Sequence, residues 1–175
     1  MKTSLYENHV ILGAKIVDFA GWQMPIQYKN LKEEVLAVRN KVGVFDVSHM
    51  GEFFIEGEDA VNFADYLVTN DIKNAPFGKA IYSPLCRENG TIIDDLIVYK
   101  LSEQRILICV NASNIEKDFN WMNSHISSFH CSLTNRSDEF SLLAVQGPES
   151  LSVLNSSTLG FELNKMEYFS VLCGI

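Results

Sequence analysis

Ala80-Ile-Tyr-Ser-Pro-Leu-Cys86-Arg-Glu-Asn-Gly-Thr91-Ile-Ile-Asp-Asp-Leu-Ile-Val-Tyr-Lys-Leu101 is the stretch whose reading decides the fold. Two β-rich runs, Ala80 to Cys86 and Thr91 to Leu101, flank Asn89-Gly90. Asn-Gly between such runs predicts a hairpin, because a two-residue turn needs positive φ at both central positions. That loop would set Glu88 opposite Thr91, Cys86 opposite Ile93, Pro84 opposite Asp95 and Tyr82 opposite Ile97. Side chains alternate faces along a strand. Tyr82, Asp95 and Tyr99 are therefore expected on one face and Asp94 on the other. Pro84 has no N–H for the ladder, so its place is an edge or a bulge.

Aspartate is depleted in mid-strand, and two in a row need a reason. On a structural reading, one faces solvent while the other caps a backbone or pairs with a cation. On a functional reading, a carboxylate stands on a concave, aromatic-lined face to hydrogen-bond a polar ligand. Asp95 fits the second reading better than Asp94, because two tyrosines share its face. Whether Asn111 joins them depends on the loop from Leu101 to Gln104.

Outward from the hairpin, helices and strands mix. Leu31, Val35 and Val38 recur at spacings of four and three, which predicts a helix from Leu31 to Lys41 stopped near Gly43. His49 to Ile55 reads as a strand, Asp59 to Val68 as an amphipathic helix and Arg105 to Val110 as a strand. A helix is expected from Asn114 to Ile126, strands at Phe129 to Leu133 and Ser141 to Val145, and a short helix after Pro148. The pattern favours an α+β fold with mixed, largely antiparallel sheets.

The bulk numbers exclude several classes. Of 175 residues, 47% are hydrophobic and 21% charged, which suits a folded globular protein. A net charge of -8 argues against a nucleic-acid partner, because phosphate binding needs a basic footprint. No apolar run approaches a membrane span, and the first ten residues lack a signal-peptide core, so a cytoplasmic location is expected. Cys86, Cys109, Cys131 and Cys173 form no Cys-x-x-Cys pair, and the histidines show no ligand spacing, so reduced thiols and no metal are expected. Asp46, Ser48 and His49 do not make a catalytic triad, whose members come from distant segments. Turn and capping roles suit Asp46 and Ser48 better.

Five ordered blocks carry a family resemblance: Asp18-Phe-Ala-Gly-Trp-Gln-Met-Pro25 with Tyr28, Gly43 to Gly51, Gly90 to Val98, Asn111 to Asp118, and Val145-Gln-Gly-Pro148. Together they resemble the T-proteins (aminomethyltransferases) of the glycine cleavage system. The resemblance implies three domains around a central folate pocket, with this chain as the N-terminal portion. Residues 1–49 and 140–175 would form a discontinuous, incomplete first folate-binding domain and 50–139 an inserted second domain, with the C-terminal barrel domain absent.

The implied reaction moves the one-carbon unit of an aminomethyl-lipoyl H-protein to tetrahydrofolate and releases ammonia. It needs tetrahydrofolate as co-substrate and no metal. Asp95 matches the family's catalytic position. Met50, Tyr82, Tyr99, Val110 and Asn111 match positions expected to line the folate pocket. The implied location is the cytoplasm, or the mitochondrial matrix for a eukaryotic chain with its transit peptide removed. Two other activities share the scaffold: a folate-dependent demethylase, and a non-enzymatic folate-binding protein of the iron-sulfur assembly type. The Asp94-Asp95 pair and the early Phe-Ala-Gly-Trp block favour the aminomethyltransferase. The ending Met166 to Ile175 reads as a strand without its partner, leaving Phe169 and Leu172 exposed.

Overall fold

The computed structural model describes residues 1–157 and 163–173. The chain divides into two compact units, Met1–His49 with Ser141–Lys165, and Met50–Phe140 with Met166–Ile175.

The first unit holds α1 (Tyr6–Ile11), the hairpin β1 (Lys15–Phe19) and β2 (Trp22–Gln27), α2 (Leu31–Asn40), and β3 (Gly43–Asp46). Ala20 and Gly21 link β1 to β2 with φ of 52° and 85°. This is the two-residue, positive-φ turn. The Gly21 N–H donates to Asp18 Oδ1 at 3.2 Å. Helix α2 starts where Asn30 turns back on it: its side chain accepts from the N–H groups of Lys32 and Glu33 at 2.9 and 3.3 Å. These are donors the first helical turn cannot satisfy internally. Gly43 does not end this helix as expected. The helix stops at Asn40, and Gly43 opens β3, where an added Cβ would sit 2.5 Å from Val38.

In the second unit lie β4 (Gly51–Gly57), α3 (Ala60–Leu67), β5 (Ala80–Cys86), β6 (Ile92–Ser102), β7 (Arg105–Val110), α4 (Ile115–His125) and β8 (Cys131–Asn135). The five strands form one antiparallel sheet in the order β5-β6-β7-β4-β8. Its core packs Phe53, Ile55, Leu96, Val98, Ile106, Ile108 and Val110 together with Phe63, Leu67 and Met122 from α3 and α4. Fully burying such a side chain contributes about 1.5–3 kcal/mol. Late in the chain, β9 (Leu143–Gln146) pairs antiparallel with β3 in the first unit, and α5 (Ser150–Ser157) follows it. The architecture is the α+β arrangement with antiparallel sheets expected from the sequence.

The C-terminal stretch differs from its expectation. From Met166 it groups with the second unit, and no strand forms among its described residues. It touches the start of β5 instead. Lys79 and Ser170 form an isolated antiparallel bridge, and the Ala80 N–H donates to the Phe169 carbonyl at 2.9 Å. Phe169 takes a left-handed φ of 51°, which breaks the extended geometry a strand needs. Phe169 and Leu172 are exposed. Ile175 lies outside the described residues.

Candidate functional site

The site grows from the β5-β6 hairpin, whose turn is not the expected two-residue one. Gly90 alone takes positive φ, at 81°, and Asn89 does not. The Arg87 N–H donates to the Thr91 carbonyl at 2.8 Å and the Gly90 N–H to the Arg87 carbonyl at 2.8 Å. Asn89 Oδ1 accepts from the Thr91 hydroxyl and N–H. This is a three-residue loop ending in a left-handed glycine.

Next to it the register slips by one. Cys86 pairs with Ile92 and Leu85 with Asp94, which leaves Ile93 as an extra residue on β6. The bulge offsets the longer loop. Pro84 therefore faces Asp95 and Tyr82 faces Ile97, as expected, and β5 is an edge strand. Bulges re-aim side chains. Here Ile93 and Asp94 are consecutive yet both buried.

On the face away from the core, directly opposed residues make a row across four strands: Tyr82, Ile97, Cys109 and Glu52. Asp95 and Tyr99 flank Ile97 along β6, on the same face. The Tyr82 hydroxyl donates to Asp95 Oδ2 at 3.0 Å. That bond, then burial and the negative charges of Asp95 and Asp94, raise the Tyr82 hydroxyl above its ordinary value. Tyr99 is raised by burial first and then by Cys109 and Glu52. Asp95 is exposed to solvent while Asp94 is 6% exposed.

The remaining candidates differ in placement. Asn111, just past β7, donates from Nδ2 both to Asp94 Oδ1 at 3.0 Å and to the Asp95 carbonyl at 2.9 Å. It thus sits beside the bulge. Met50 immediately precedes β4 and is partly buried. Val110 is 0% exposed and belongs to the core cluster, so its side chain points away from the Asp95 face. Its neighbour Cys109 occupies that face instead.

Three polar residues here are not among the candidates drawn from the sequence. Glu52 is 5% exposed, neither carboxyl oxygen has a partner among the described residues, and burial pushes it up to about 7. Cys109 beside it is pushed up to about 12 by burial and then by the Glu52 charge. Period-two alternation from the Tyr82 row would have found both. Asp118 is fully buried on α4, one helical turn before the buried Met122. The helical spacing of Ile115, Asp118 and Met122 is a legible signal for its inward placement.

The first unit has its own buried polar network. Asp46 Oδ2 accepts from the Thr3 hydroxyl at 2.6 Å and from His9 Nε2 at 2.8 Å. Asp46 Oδ1 accepts from the Ser48 N–H at 2.9 Å, the turn role expected for it. The Tyr28 hydroxyl lies 2.8 Å from His9 Nδ1. No group of three or more His, Cys, Asp or Glu able to hold a metal occurs among the described residues. No helix among them is long and apolar enough to cross a membrane.

Residues 5–173 match the family model described as the GCVT N-terminal domain. An aminomethyltransferase of Thermotoga maritima is 58% identical over 153 residues, covering 87% of this chain and 42% of its own. Another, from Thermosipho melanesiensis, is 53% identical over 168 residues, covering 96% and 46%. Among solved structures, the glycine cleavage system aminomethyltransferase T from Bartonella henselae matches with a TM-score of 0.90 at 36% identity. That match covers 97% of this chain and 46% of the other. The chain thus spans about half the length of the curated relatives it matches.

Proposed function

The chain belongs to the GCVT N-terminal domain family, and from that premise we propose that it serves an aminomethyltransferase of the glycine cleavage system. The proposed substrates are tetrahydrofolate and an aminomethyl group carried on the lipoyl sulfur of the H-protein. In the transfer, the carbon's bonds to sulfur and to nitrogen break, and two bonds to folate nitrogens form. The two hydrogens those nitrogens lose leave on ammonia and on the lipoyl thiol, so no oxidant, reductant or metal is required.

Most of that task is orientation, with stabilisation of positive charge as it develops on the folate nitrogens. One observation carries the reading: Asp95 stands exposed on a sheet face between tyrosines and is held at one oxygen by the Tyr82 hydroxyl. Its other oxygen, Oδ1, is available to a cationic transition state. Tyr99 and Ile97 offer flat and apolar surface to an aromatic ligand, and Asn111 offers an amide. Met50 is assigned to the edge of the same pocket. The assignment of Val110 is narrower: with its side chain in the core, only its main chain could meet folate. Residues 1–49 and 140–165 are proposed as part of a first folate domain and 50–139 as an inserted second.

The test is ammonia release from aminomethyl-loaded, lipoylated H-protein with and without tetrahydrofolate. Release that needs both, and that falls in Asp95→Asn, is the expected result. Methyl transfer from a small amine without the H-protein would assign a demethylase instead.

A further inference from the structure

We propose that Asp118 is a positioning residue: sharing one proton with Asp94, it fixes the Asn111 amide and, through it, the main chain that carries Asp95. The inference rests on the reading of Asp95 as the working carboxylate.

The geometry begins with two buried acids. Asp118, on α4, is 0% exposed, and neither of its oxygens meets an N–H or hydroxyl donor among the described residues. Asp94 Oδ2 has none either. The two carboxyls lie close enough for one to donate to the other once it is protonated. Two carboxylates in contact inside a protein cannot both stay ionised, so one proton must lie between them.

The groups around the pair decide which acid keeps it. Asp94 faces the amides of Asn111 and Asn114 and the Asp95 N–H. Burial opposes its charge, but bonds from Asp118, Asn111, Asn114 and Asp95 outweigh burial and hold it below its ordinary value. Asp118 has no such donors. Burial, its bond to Asp94 and the Asp94 charge push it up to about 8, against a smaller opposing pull from Lys117. The Lys117 ammonium itself donates to the Ile93 carbonyl at 2.7 Å, across the bulge. The proton therefore resides on Asp118, which donates to Asp94.

An ionised, anchored Asp94 then dictates the orientation of Asn111. Both partners of Asn111 Nδ2, Asp94 Oδ1 and the Asp95 carbonyl, only accept. The NH2 group must face them. What Asn111 has left for a ligand beside Asp95 is Oδ1, an acceptor. The site is thereby set for a ligand edge that donates N–H, as an amino-pyrimidine ring does. Loss of the Asp118 proton puts two charges side by side and pushes Asp94 off its place beside the Asn111 NH2 group.

The test follows the aspartate carboxyl carbons and the Asn111 side-chain amide by NMR in this chain, from about pH 5 to about pH 9.5, in the wild type, Asp118→Asn and Asp118→Leu. One carboxyl is expected to titrate near 8, with the Asn111 amide shifting in step. Asp118→Asn keeps a donor toward Asp94, so it should abolish that titration and leave the Asn111 signals near their low-pH positions. Asp118→Leu should move them at every pH.

If every aspartate titrates below about pH 6, or the Asn111 amide ignores both pH and Asp118→Leu, the proposal is overturned. A purely structural Asp118 would not transmit its titration to Asn111. Titration of the same samples with tetrahydrofolate separates the two readings. Failure of the wild type to bind folate at any pH counts against a folate site within this chain and leaves the NMR result for Asp118 standing.

Discussion

Asp46 in the first unit and Asp118 in the second are the same side chain, both buried, and they are driven in opposite directions. Asp46 gathers three donors: the Thr3 hydroxyl, the His9 ring and the Ser48 N–H. Burial opposes its charge, but those bonds win and hold it below its ordinary value. Asp118 is buried as well and meets only another carboxyl, so it rises to about 8. Depth alone does not set the state of a buried acid. The number of donors aimed at it does.

The largest expected effect is the split this imposes on pH dependence. Asp118 has a folded value above its ordinary 3.8. Its contribution to stability is complete below about 4 and is lost as pH rises toward about 8. Glu52, pushed up to about 7, acts in the same sense. Asp46, depressed, contributes above its ordinary value and loses that contribution as pH falls through its folded value. Hydrogen exchange, corrected for intrinsic rates, should show β6 and α4 loosening between about pH 5 and about pH 8.5. Strand β3 and helix α1 should loosen only in acid. Parallel behaviour of the two units would break the comparison.

Asp46→Ala is expected to cost about 3–5 kcal/mol, because it strands His9 and leaves buried donors unpaired. Chemical denaturation read by probes in β3 measures it, and a loss under about 1 kcal/mol would show the network is dispensable. Asp95→Asn belongs to neither buried class. The carboxylate is exposed, so the fold should hold while the proposed aminomethyl transfer falls on the order of 10²–10³. Equal rates in the two proteins would remove its catalytic role. The smallest effect calibrates the others: Asn30→Ala, which deletes an exposed neutral cap of α2, should cost about 1 kcal/mol in chemical denaturation. A cost as large as that of Asp46→Ala would mean that burial contributes little to the difference.

The hairpin shows how far the sequence carries the site. Asn89-Gly90 points to a turn, and a turn is there, but it uses three residues where two are expected. The register at Asp95 still follows the sequence pattern, because the bulge at Ile93 offsets the extra loop residue. Nothing local announces that bulge. It is held in part by Lys117 reaching from α4 to the Ile93 carbonyl. Val110 turns its side chain into the core for a simpler reason. Strand alternation sends adjacent residues to opposite faces, and the family resemblance points to Val110 while the side chain on the Asp95 face belongs to Cys109. The His9–Asp46 bond joins residues 37 apart in the chain, so no spacing rule could have found it.

By itself the sequence determined the order of helices and strands from β4 to β8, the antiparallel hairpin, the edge-or-bulge setting of Pro84 and the shared face of Tyr82, Asp95 and Tyr99. These follow from periodicity and from what one residue's backbone can do. Tertiary structure alone decided which acids keep a proton, which amide orientation Asn111 adopts and where a strand gains a residue. Each depends on donors and acceptors delivered by elements remote in sequence, and a buried charge responds to those neighbours within a few ångströms more strongly than to anything beside it in the chain.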